Sequence, residues 1–146
     1  FETINAAVTA AETGHLVFST LHTTGAAETI DRIIDVFPPH SQGQIRSQLA
    51  NPVVGIISQT LGPPADGKGR CAALEILAAT DAVRSMIREG KIFQIPTAIA
   101  TGKKNGMFTL DQDLARLVNM GKITKEVALT RCQDPNEFKR YLSVGY

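Results

Sequence analysis

Gly14-His15-Leu16-Val17-Phe18-Ser19-Thr20-Leu21-His22-Thr23-Thr24 sets two imidazoles and several hydroxyls around one short apolar run. Val17 and Phe18 are strand formers, and Leu16 to Leu21 is apolar enough to predict a strand covered on both faces in a parallel sheet. The polar residues cluster at its ends. In open α/β sheets ligands bind beyond the carboxyl ends of the strands, so His22, Thr23 and Thr24 stand where a ligand could meet them. His15, at the start of the run, can equally orient backbone or pack against the preceding helix.

Outward from this run, Glu2 to Glu12 has helical character and ends at Gly14, suited to a left-handed C-terminal position. Thr24 offers a side-chain cap to a second helix, in which Ile30, Ile33, Ile34 and Phe37 share a face and Glu28 and Arg32 pair one turn apart, until Pro38-Pro39 stops it. Ser41 to Leu49 reads as a helix broken near Asn51-Pro52. Ile56 to Leu61 and Cys71 to Leu77 predict two strands of a hairpin around a Pro- and Gly-rich turn. From Thr80 on, short helices with evident caps follow one another. Thr80 and Gly90 bracket one, and Pro96 kinks or starts the next. Thr109 and Gln112 have capping-box spacing, Thr124 caps a further helix, and Asp134 to Tyr146 holds a last short one.

The 146 residues amount to one domain's worth of chain, and 43% hydrophobic composition is enough for a core. With 15 Lys and Arg against 14 Asp and Glu, a net charge of +1 supplies no global field that would recruit nucleic acid or anionic lipid. No apolar run approaches a membrane span, and no charged-then-apolar leader opens the sequence. Cys71 and Cys132 lie too far apart to form a zinc knuckle or a redox pair, so no metal site is expected from them.

The run Thr9 to Thr24, followed by Ile30-Asp-Arg-Ile-Ile-Asp-Val-Phe-Pro38, resembles the histidine box of the secretion ATPase superfamily, and within it the PilT family of type IV pilus retraction motors. Ala82-Val-Arg-Ser-Met-Ile-Arg-Glu89 is similar to the Ala-Ile-Arg-Asn-Leu-Ile-Arg-Glu signature of the retraction branch, differing at Val83, Ser85 and Met86. Gly106-Met-Phe-Thr-Leu-Asp-Gln112 resembles the turn and helix start that follow. The resemblance covers the chain from about Phe1 to about Ala128. Pro52, Gly62-Pro63-Pro64 and Pro96 depart from the family pattern without touching the histidine box.

The fold this implies is α/β: the C-terminal part of a RecA-like P-loop NTPase core over residues 1–79, then a small helical subdomain over 80–146. The implied activity is that of a cytoplasmic, homo-hexameric ATPase that drives pilus retraction and twitching motility. It would sit peripheral to the inner membrane, beside the pilus platform proteins, and use ATP with Mg²⁺. The absence of paired Cys-x-x-Cys motifs favours the retraction branch over pilus extension or type II secretion motors. A non-catalytic interaction module is the rival of another class.

By the resemblance, His22 and His15 are the catalytic candidates, His22 lying beside the terminal phosphate where an imidazole can polarise it. Arg84, Arg88 and Glu89 are candidates for a motor surface facing neighbours, against the plain alternative of a solvated helix face; both arginines are expected to reach solvent. Arg32 needs no nucleotide, since Glu28 accounts for it. Gly62-Pro-Pro-Ala-Asp-Gly-Lys-Gly69 has the spacing of a phosphate-binding loop but lacks its chemistry. Pro63 and Pro64 carry no N–H, Gly69 replaces the hydroxyl residue, and a strand follows instead of a helix. The resemblance implies Walker A and Walker B upstream of Phe1, with Phe1-Glu2-Thr3 resembling the end of the acidic segment after Walker B. The chain alone is expected to be inactive.

Overall fold

The computed structural model describes all 146 residues. Its helices are α1 (Glu2–Glu12), α2 (Ala26–Asp35), α3 (Gln42–Ala50), α4 (Asp81–Arg88), α5 (Ile95–Ala100), α6 (Leu110–Asn119), α7 (Lys125–Arg131) and α8 (Pro135–Ser143), with strands β1 (Gly55–Gly62) and β2 (Cys71–Ala78) between α3 and α4. The strands pair antiparallel from Gly55 opposite Ala78 to Gly62 opposite Cys71, forming the hairpin that the turn chemistry predicts. Its loop is no phosphate cradle. Asp66 Oδ1 accepts the Lys68 N–H at 3.0 Å, Gly67 and Gly69 have positive φ, and β2 follows directly.

Helix limits follow local chemistry. Thr80, Thr109 and Thr124 each accept an N–H from the first turn of the helix they precede, and Thr109 completes a capping box with Gln112. Asp134 caps α8 through the N–H groups of Asn136 and Glu137. Pro96 falls in the first turn of α5, after a short 3-10 turn at Ile92–Gln94. Thr24 behaves differently from its predicted capping role. Gly25 is the N-cap of α2, and the Thr24 hydroxyl donates to Glu28 Oε2 at 2.6 Å, because the glutamate one turn on is the stronger acceptor.

The predicted strand at Leu16–Leu21 does not form. β1 and β2 pair only with each other, leaving this run no neighbour to take its N–H and C=O groups, and Leu16 (75%) and Phe18 (90%) are exposed rather than covered.

Two apolar cores flank β2. Leu77 joins Ala26, Ile30 and Ile34 of α2 with Val83, Ile87, Ile95 and Ile99. Ala73, two pleats away on the same face, joins Leu110, Leu114 and Leu117 of α6 with Phe138 and Tyr141 of α8. Between them the same strand face presents a charged residue, Glu75, only 6% exposed. Helices α4 and α5 therefore pack with α2 and α3, while α6 to α8 form a second layer.

Candidate functional site

His22 is exposed on the extended segment that leads into α2, three residues before the N-cap Gly25. Its neighbours are firmly held. Thr23 Oγ1 lies 2.6 Å from Thr29 Oγ1, whose hydroxyl donates to the Gly25 carbonyl at 2.7 Å. The Thr24 N–H also donates to Glu28 Oε2 at 3.2 Å, and the Thr24 carbonyl accepts from Gln133 Nε2 at 3.3 Å. The Thr24 hydrogen bonds hold the Glu28 carboxyl below its usual range, with a smaller contribution from Arg32, which pairs with it at 3.3 Å. A free imidazole on a pinned backbone can meet a ligand without first ordering the chain.

His15 is placed apart. Its Nδ1 lies 3.2 Å from the Ala10 carbonyl and 3.3 Å from Thr13 Oγ1, at the C-terminus of α1. With Nδ1 turned to that helix end, Nε2 is the nitrogen left for other partners. His15 and His22 share no hydrogen-bond partner, so the two imidazoles do not form one cluster within this chain.

On α4 the structure divides the residues of the motor-surface reading. Arg84 is half-buried, and its Nη1 donates to the carbonyls of Ala50 (2.7 Å) and Asn51 at the end of α3. It satisfies helix-end carbonyls instead of reaching solvent, because α3 and α4 pack side by side and bring an unpaired C-terminus within range. Arg88 and Glu89 are exposed. Arg88 reaches Asn51 Oδ1 at 3.5 Å, and Glu89 pairs with Lys91 at 3.0 Å, an ion pair that is the main reason its carboxyl sits below the usual range.

The contacts that sequence reasoning missed lie behind His22. Glu75 Oε1 accepts the N–H of Ala26 at 3.0 Å, the first residue of α2, and Oε2 accepts that of Leu110 at 3.4 Å, the first of α6. Asp111, 5% exposed, accepts the backbone N–H groups of Gln133 (2.7 Å) and Asp134 (2.9 Å). Burial raises the Asp111 carboxyl above its ordinary value against the pull of those two donors. A lone Glu in the apolar strand Cys-Ala-Ala-Leu-Glu-Ile-Leu-Ala was the available signal for Glu75.

No group of three or more His, Cys, Asp or Glu side chains converges on a point that could hold a metal ion. The Mg²⁺ implied by the resemblance finds no such set of ligands in this chain. Cys71 and Cys132 are free and half-buried, burial being the main reason the Cys132 thiol is pushed up. No helix is long and apolar enough to cross a membrane.

Residues 1–66 match the family described as type II/IV secretion system protein. The chain is 54% identical to the twitching motility protein of Neisseria gonorrhoeae over 133 residues, 91% of this chain and 36% of that protein. It is 51% identical to the type IV pilus retraction ATPase PilT of Pseudomonas aeruginosa over 94% of this chain and 40% of that protein. A crystal structure of the pilus retraction motor PilT with bound ADP superposes with a TM-score of 0.86 at 44% identity, covering 96% of this chain and 39% of that one. The chain thus spans somewhat more than a third of the length of the relatives it matches. Over residues 1–66 the chain matches the type II/IV secretion system protein family, and over nearly its whole length it is similar, in sequence and in fold, to pilus retraction proteins.

Proposed function

We propose that this chain is the C-terminal part of a hexameric ATP-hydrolysing motor that retracts type IV pili, residues 1–79 completing the ATPase core and 80–146 forming its helical subdomain. The observation that carries the reading is the superposition of nearly the whole chain on a retraction motor that holds ADP. His22 is the residue we place beside the terminal phosphate, where an imidazole stabilises charge as it redistributes in phosphoryl transfer. His15, held at the end of α1, supports the same extended segment from its other end. Arg88 and Glu89, with Arg84 at their base, form the surface that passes subunit motion to neighbours or to the pilus platform. The motor works at the cytoplasmic face of the inner membrane without spanning it.

Phosphate release tests the reading. In the full-length protein His22→Ala lowers kcat by about 100-fold, the scale of losing one electrostatic stabiliser, with KM little changed. The 146-residue chain alone, lacking a phosphate cradle, releases no more phosphate than its own His22→Ala variant. Full kcat in the His22→Ala motor removes His22 from the chemistry, and turnover by the isolated chain removes the assignment of this segment.

A further inference from the structure

Glu75 is a charge buried where apolar residues would pack. Ala73 and Leu77, its companions on the same face of β2, each belong to a different core, and Glu75 stands at the seam between the two. Sequestering a carboxylate costs several kcal/mol unless donors replace water. The donors here are two helix N-termini, one from each layer, at Ala26 and Leu110. The ends of both helices carry partial positive charge and unpaired N–H groups, so one anion serves both. The α2 end depends on it more. Gly25 has no side chain to cap with, whereas α6 has the Thr109–Gln112 capping box as well.

A second link runs parallel to the first. Gln133 donates through Nε2 to the Thr24 carbonyl and through its backbone N–H to Asp111, the second residue of α6. The first turn of α6 therefore reaches the segment behind His22 twice, through Glu75 and through Gln133. Both groups come close to Gly25, each 3.4 Å from where a Cβ would stand, at ordinary van der Waals contact.

We propose that Glu75 is a positioning residue that fixes the His22 segment against the N-terminus of α6, coupling the orientation of that histidine to the α6–α8 layer. The coupling rests on the placement of His22 proposed above. A shift of α6 against β2 would drag or release the start of α2, and His22 with it.

The test uses the full-length protein and the variants Glu75→Gln, which keeps one acceptor and turns an amide donor on the other N–H, and Glu75→Leu, which removes both acceptors. Hydrogen exchange read by mass spectrometry comes first and needs no activity. In Glu75→Leu the peptides covering residues 21–28 and 109–113 lose protection together, by about tenfold in rate, in Glu75→Gln the start that faces the amide donor loses it, and in both the peptide over Ile95–Ile99 is unchanged. In Glu75→Leu, protection lost at only one of the two helix starts, or at neither, overturns the proposal. Kinetics then separates positioning from general weakening. Glu75→Gln lowers kcat by about tenfold with KM within about twofold, and in a His22→Ala background the same substitution costs less than about twofold. Losses that multiply in the double variant overturn the coupling to His22. A wild-type protein without ATP turnover would instead sink the functional reading, leaving the exchange result to decide the role of Glu75.

Discussion

Arg84 shows how a residue in a family signature can have an internal task first. Its guanidinium closes the C-terminal carbonyls of α3, and hydrogen bonds from a charged donor contribute about 1.5–3 kcal/mol where the acceptors are otherwise unpaired. Arg84→Ala is expected to cost about 1–3 kcal/mol in urea unfolding, with Arg84→Lys intermediate because an ammonium lacks the planar fork. Under the function proposed above, Arg84→Ala in the full-length protein is expected to keep ATP turnover and lose retraction. Retraction at the wild-type level would detach this residue from force transmission, while a parallel loss of turnover would trace the defect to stability. Exposed Arg88 allows the surface role to be tested without disturbing α3.

At the scale of elements, what the sequence made legible was whatever is decided within a few residues. The caps at Thr80, Thr109 and Thr124 and the hairpin turn depend on local chemistry and fall where expected. A strand is different, being defined by its neighbours. The apolar content of Leu16–Leu21 could not reveal whether a pairing edge was available, nor could Thr24 reveal that Glu28 would claim its hydroxyl. Glu75 was hidden for a related reason, its partners lying 49 and 35 positions away.

The first turn of α6 is also an element whose strength depends on pH. Burial lets the folded chain hold the Asp111 proton more tightly than the unfolded chain does. Between the unfolded and the raised folded pKa the native state binds more protons, so this group's contribution falls as pH rises through that window and is greatest below it. The difference in unfolding free energy between wild type and Asp111→Asn should therefore shift in favour of wild type as pH drops from 7 towards about 4. A difference that stays flat with pH would mean that the two backbone donors cancel the effect of burial, and one that shifts against wild type that they outweigh it.

For the molecule as a whole, two cores meet along one strand, and hydrogen bonds as well as apolar contact join them. The division of the chain at residue 80 that we propose on family grounds is crossed by packing, since α4 and α5 share a core with α2 and α3. Moving α4 would open the apolar interior it shares with α2 and α3, and moving α6 off β2 would open the second core at Ala73 as well as break the Glu75 contacts.

The run Leu16-Val17-Phe18-Ser19-Thr20-Leu21, exposed up to Thr20, carries no charge and no proline, so when the 146-residue chain stands alone it is a bare sticky tape. Copies in concentrated solution should adhere along it in register, turning the preparation cloudy on warming before the cores melt. Phe18→Lys, which sets a repelling charge in the middle of the tape, is expected to raise the onset of light scattering by several degrees and leave the circular dichroism melting curve in place. An unchanged onset would move the source of clumping elsewhere on the surface.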